Sequence, residues 1–107
     1  MGSQPRHSIR SLNSPADTPP QEHAHVQRLR AARAFGLALK SARLQRGLSQ
    51  EELAERGEFD RTYPSLLERG RRSPTFFVIL QLAYALRMEP AALFGQAVAR
   101  LQGEAQS

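Results

Sequence analysis

The stretch Leu48–Pro74, LSQEELAERGEFDRTYPSLLERGRRSP, decides how the rest of this chain is read. Ser49 stands three residues before Glu52, and Ser-x-x-Glu is the capping box that opens a helix. Leu53 and Ala54 follow as the apolar face of that helix. Asp60 is a second N-cap candidate, and the helix it opens carries Tyr63, Leu66 and Leu67 to a stop near Gly70. A helix of about two turns, a tight turn and a second short helix make a helix-turn-helix signature.

Working outward, residues 22–46 show apolar positions Val26, Leu29, Phe35, Leu39 and Ala42 at helical spacing, with Arg28, Arg30, Arg33, Lys40 and Arg46 largely between them. Gly36 weakens that helix by roughly 1 kcal/mol relative to Ala. On the far side, Ser73 is read as an N-cap and Pro74 as the first helical residue. Phe76, Phe77, Ile79, Leu80, Leu82, Ala83 and Leu86 are expected to fill a mostly buried helix. Glu89-Pro90 opens the last helix, which runs to about Gln102 with Ala97, Val98 and Leu101 on one apolar side. That stripe either meets a second copy, the reading preferred here, or folds back onto the long first helix. No alternating strand pattern persists, so the expected fold is all-α, with five helices around one core.

Residues 1–21 hold Pro5, Pro15, Pro19 and Pro20 among polar residues. Such a segment cannot bury enough surface to offset its ordering entropy. It is read as a disordered tail, with a DNA-following arm as the alternative.

Bulk properties narrow the function. The chain has 107 residues, enough for one domain plus tails, and a net charge of +5 with a sequence pI near 11.0, which favours a polyanionic partner. It has no cysteine, hence no disulfide framework and no thiolate metal site. His23 and His25, two apart, fall on different faces of a helix, so no metal site and no cofactor is expected. No membrane span is expected, and a cytoplasmic location is.

Arg43 to Phe94 resembles the helix-turn-helix domain of the phage-repressor and Cro-like (XRE) transcription regulators. The matching pieces are R-x-x-R-G-L-S-Q-E-E-L-A at Arg43–Ala54, L-E-R-G at Leu67–Gly70, S-P at Ser73–Pro74 and L-A-x-A-L-x-x-x-P-x-x-L-F at Leu82–Phe94. With the tail and helix pattern read above, the resemblance gives this division: a tail to residue 21, a helical extension or separate helix at 22–33, the DNA-binding domain at 34–95, and a C-terminal helix extension and tail at 96–107. It also implies that Arg43 pairs with Glu68 to orient the two helices.

In helix-turn-helix proteins the second helix enters the major groove, N-terminal residues first. By this register the recognition helix is about Arg61–Arg69. Arg61, Thr62, Ser65 and Leu66 are the expected base-reading positions. The expected phosphate contacts are Gln50, Tyr63, Arg69, Arg71, Arg72 and Arg46. Three departures from the family pattern stand out. Glu58 falls where the turn needs a left-handed residue, unless Gly57 shifts that turn by one. Pro64 pushes the start of regular helix to about Tyr63 or Pro64. Arg87 replaces a C-capping glycine.

These features together lead to the expectation of a bacterial or phage transcription regulator, a repressor in preference to an activator. It would bind a pseudo-palindromic operator in double-stranded DNA as a homodimer, with no small-molecule effector. A protein–protein adaptor that keeps the fold is the alternative, and within the regulators the resemblance leaves phage-type repressor, restriction–modification controller and antitoxin open. No Ser/His/Asp set, phosphate-cradling loop or convergent carboxylate pair points to an enzyme.

Overall fold

The computed structural model describes residues 20–106, all of its regular structure helical. The tail reading of residues 1–19 lies outside the described residues, as does Ser107, while Pro20 and Gln21 belong to the first helix.

Helix α1 spans Pro20–Gln45 as one unbroken rod of 26 residues, rich in Ala, Leu and Arg. Pro20 takes its first position, where the missing N–H is harmless. It ends at Gly47, which is left-handed at φ 68°, while the Leu48 N–H donates back to the Arg43 carbonyl at 3.1 Å. Helix α2 is Gln50–Gly57, α3 is Tyr63–Glu68, α4 is Phe76–Leu86 and α5 is Pro90–Gln106.

Every helix contributes a leucine to the centre. Leu39 of α1, Leu53 of α2, Leu67 of α3, Leu82 and Leu86 of α4 and Leu93 of α5 are all fully buried. Burying one such side chain is worth about 1.5–3 kcal/mol. The most extensive helix pairing is α1 against α5, with α3 also lying on α1, and α2 packing on α3 and α4.

Three sequence expectations change here. Thr75, not Ser73, caps α4: its hydroxyl accepts the Val78 N–H at 3.2 Å, so Pro74 stays outside the helix. Second, α4 is not buried all round. Phe76 is 76% exposed, Phe77 65% and Tyr84 80%, because the side that faces the core is that of Leu82, Ala83, Ala85 and Leu86, with Val78 and Ile79 packed at its edge. Third, the stripe on α5 is covered from within the chain. Ala97 is buried, and it shares an apolar depression with Val98, Leu101 and the Ala31–Phe35 region of α1. Ala31 and Ala32 of the added segment and Ala34 and Phe35 of the domain thus line one side of a depression whose other side is this stripe.

Candidate nucleic-acid interface

Helix α2 opens with the capping box complete. The Glu52 N–H donates to Ser49 Oγ at 3.0 Å, and the Ser49 N–H donates to Glu52 Oε1 at 2.8 Å. The turn after α2 places Glu58 in the left-handed region (φ 61°, ψ 43°), so Gly57 does not shift it. Gly57 instead makes room, since a Cβ there would collide with the ring of Phe59, which folds under the turn. The Phe59 N–H then reaches the Ala54 carbonyl at 2.8 Å.

The lead-in to α3 is built on Asp60. Its Oδ1 accepts from the Thr62 N–H at 2.9 Å and from the Thr62 hydroxyl at 2.6 Å. These two bonds, hydroxyl first, hold the Asp60 carboxyl below its ordinary pKa. Thr62 is thereby the residue that precedes the helix, and regular α3 starts at Tyr63 with Pro64 in its first turn. Arg61 and Thr62 sit in the turn itself, both exposed. Arg61 Nη2 lies 2.9 Å from Glu51 Oε2, an exposed pair that aligns the guanidinium over the start of α2.

What fixes α3 against the rest is a buried ion pair. Arg43 Nε donates to Glu68 Oε2 at 2.6 Å and Nη2 to Oε1 at 3.0 Å, a two-pronged contact with the side chains 9% and 3% exposed. Arg43 Nη1 also donates to the Leu48 carbonyl at 2.7 Å, and Gln50 Nε2 donates to Glu68 Oε1 at 3.0 Å. Four segments therefore meet on one carboxylate–guanidinium plane. The hydrogen bond to Glu68 raises the Arg43 pKa above its usual value, against the opposing effect of burial. Gly36, two turns before Arg43, lets α1 approach α3 closely, because a Cβ there would fall 2.6 Å from the Glu68 carbonyl oxygen.

The remaining candidate residues divide by environment. Ser65 and Leu66 are half-buried on α3 while Leu67 points into the core. Tyr63 is half-buried, its ring 5.5 Å from that of Phe59. Arg69, Arg71 and Arg72 are exposed, with Arg69 Nε turned back toward the Ser65 carbonyl at 3.3 Å. Gly70 is left-handed (φ 72°), and the Arg71 N–H closes the turn on the Leu66 carbonyl at 2.9 Å. Arg46 is exposed, and its Nε donates to the Leu86 carbonyl at the end of α4, where Arg87 adopts the left-handed position (φ 57°). Neither this contact nor that of Gly36 has a local sequence signal, since each joins residues far apart in the chain. Among the described residues there is no cluster of three metal-ligating side chains, and no single helix is long and apolar enough to cross a membrane.

Residues 34–94, more than half of the chain and all of the geometry above, match the family described as a helix-turn-helix domain. The chain belongs to the helix-turn-helix transcription regulators. An uncharacterised HTH-type transcriptional regulator of Sinorhizobium fredii is 50% identical over 44 residues, 41% of this chain. That match spans 57% of the relative's own length. Among solved structures, the restriction–modification controller protein C.AhdI of Aeromonas hydrophila is 44% identical, with a TM-score of 0.56 over 58% of this chain and 94% of its own. The clp gene regulator ClgR of Corynebacterium glutamicum is 30% identical, with a TM-score of 0.67 over 71% of this regulator and 81% of its own chain. The controller protein C.Esp1396I, crystallised as a tetramer on its natural 35-base-pair operator, is 26% identical with a TM-score of 0.62, covering 67% of this chain and 95% of its own.

Proposed function

We propose that this helix-turn-helix regulator is a sequence-specific DNA-binding protein that acts without enzymatic chemistry, as a repressor, on a pseudo-palindromic operator. Residues 34–95 form the binding module, with Arg61, Thr62, Ser65 and Leu66 reading base edges. Gln50, Tyr63, Arg69, Arg71 and Arg72 hold the phosphates. Arg46, exposed and with its Nε on the Leu86 carbonyl, joins them through its terminal nitrogens. The observation that carries this reading is the Arg43–Glu68 pair, which locks a helix of only six residues into one orientation beside an exposed arginine loop. The operator-bound C.Esp1396I neighbour supports DNA as the partner.

A homodimer would span two half-sites about 34 Å apart. The surface that suits a second copy is the aromatic side of α4 and α5. Phe76, Ile79, Leu80, Pro90, Ala91 and Phe94 line one depression there, and Leu80 continues it toward Phe77 and Tyr84. Exposed rings at Phe76, Phe77, Tyr84 and Phe94 in one patch are unusual for a surface that stays wet. Sedimentation of Phe77→Glu and Tyr84→Arg variants should give monomers where the wild type gives dimers. A wild-type monomer at micromolar concentration would rule the dimer out.

Genomic-fragment selection with the purified protein, followed by binding at several salt concentrations, tests the central claim. An enriched pseudo-palindrome bound far more tightly than random DNA is the expected result. Weak, sequence-blind binding would refute it and favour an adaptor that uses the aromatic patch for a protein partner.

A further inference from the structure

Charge in this molecule is segregated by helix. Between His23 and Gln45, α1 carries Arg28, Arg30, Arg33, Lys40 and Arg43 and not one carboxylate. Helix α2 and its turn carry Glu51, Glu52, Glu55, Glu58 and Asp60 against Arg56 and Arg61. Of the α1 cations, Arg43 is neutralised by Glu68. Arg33 is exposed, and among the described residues no carboxylate forms an ion pair with it.

Its position matters more than its charge. A Cβ placed on Gly70 would lie 3.2 Å from the Arg33 Cα, so the first helix touches the loop at the residue immediately before Arg71 and Arg72. We infer that Arg33 carries the phosphate track of Arg71 and Arg72 onto the first helix, and that the 22–33 extension grips DNA backbone flanking the half-site. The ligand is duplex DNA, recognised by its phosphates and not by its bases. From Arg33 to the start of the described side chains, α1 rises about 15 Å. Measured along the duplex axis, that is the rise of roughly four base pairs. The inference rests on the DNA-binding reading above and adds a contact outside the recognised sequence.

The test compares two duplexes containing the selected operator, one ending at the half-site edges and one longer by about ten base pairs on each side. Binding is followed from 50 to 200 mM salt for the wild type, Arg33→Gln and Arg33→Lys. On the long duplex Arg33→Gln should lower the salt slope by about 1 per bound copy, a roughly three- to fourfold change in affinity across that range. The preference for operator over random DNA should stay the same. Arg33→Lys should keep the wild-type slope, and the short duplex should show little difference among the three proteins. Equal slopes for wild type and Arg33→Gln on the long duplex would overturn the inference while leaving operator recognition intact. A wild type that shows no preference for the operator would instead refute the DNA-reading function, and this inference with it.

Discussion

Gly36 lies directly beneath the main chain of Glu68, close enough that a Cβ built on it would sit 2.6 Å from the Glu68 carbonyl oxygen and closer still to that of Leu67. The residue that lowers the intrinsic stability of α1 is therefore the one that lets α1 and α3 come together.

Gly36→Ala should destabilise the protein even though alanine improves helix propensity by about 1 kcal/mol. The clash is with backbone, which cannot swing aside, and overpacking of this kind costs typically about 1–3 kcal/mol or more. Gly95→Ala is the control, because nothing lies within 4 Å of a Cβ there. Thermal melts should move down for the first and unchanged or up for the second.

Breaking the Arg43–Glu68 pair from one side should be costly. Arg43→Met leaves a carboxylate 3% exposed with Gln50 as its remaining side-chain donor, and Glu68→Leu leaves a guanidinium on the Leu48 carbonyl alone. Each single change should lose about 3–5 kcal/mol, and the double change should recover most of it. A urea-denaturation double-mutant cycle measures the coupling, and strict additivity would show that the two charges do not depend on each other.

Acid should weaken the capping box of α2 and the turn at Asp60. The Ser49 N–H holds the Glu52 carboxyl below its ordinary pKa, and the Thr62 hydroxyl does the same for Asp60. Both groups are more acidic folded than unfolded, so the unfolded chain takes up their protons first as pH falls. Their contribution is fully present above about pH 5 and is lost as pH drops through about 4 and below. Urea midpoints of the wild type and of an Asp60→Asn variant should therefore converge between about pH 5 and pH 3. A constant gap across that range would contradict the assignment.

Arg61→Ala and Arg71→Ala separate reading from holding. Arg61→Ala should cost about 1–3 kcal/mol on the operator and relax the preference at one base pair. Arg71→Ala should weaken operator and random DNA about equally and reduce the salt slope by roughly 1. Identical behaviour of the two variants on both DNAs would show that Arg61 does not read a base.

What could be seen in the sequence was what is local. The capping box needs only Ser49 and Glu52 three residues apart, and the effect of Pro64 on the start of α3 follows from its own ring. Glu58 and Arg87 stood out only against the family pattern, which has glycine at both places, and the structure decides between Glu58 and a turn shifted by Gly57. Facing was harder. Helix α4, FFVILQLAYAL, has almost no polar residue to mark an outer side, so periodicity could not reveal that Phe76, Phe77 and Tyr84 face outward. The apolar side of α5 was evident, but that α1 lines the same depression was not, because it depends on how the two helices cross. The Gly36 contact and the Arg46 bond to Leu86 join distant residues and leave no trace in spacing.

A helix as short as α3 has no independent existence. Isolated helices below about 12 residues are marginal even in favourable sequences, and α3 has six, one of them proline. The reading surface is thus a property of the assembled domain and not of the segment that bears it. Substitutions in Leu39 or Leu93, far from any base, should therefore be isolated in a genetic screen alongside true operator-contact mutants. Only a stability measurement on the purified variants would tell the two classes apart.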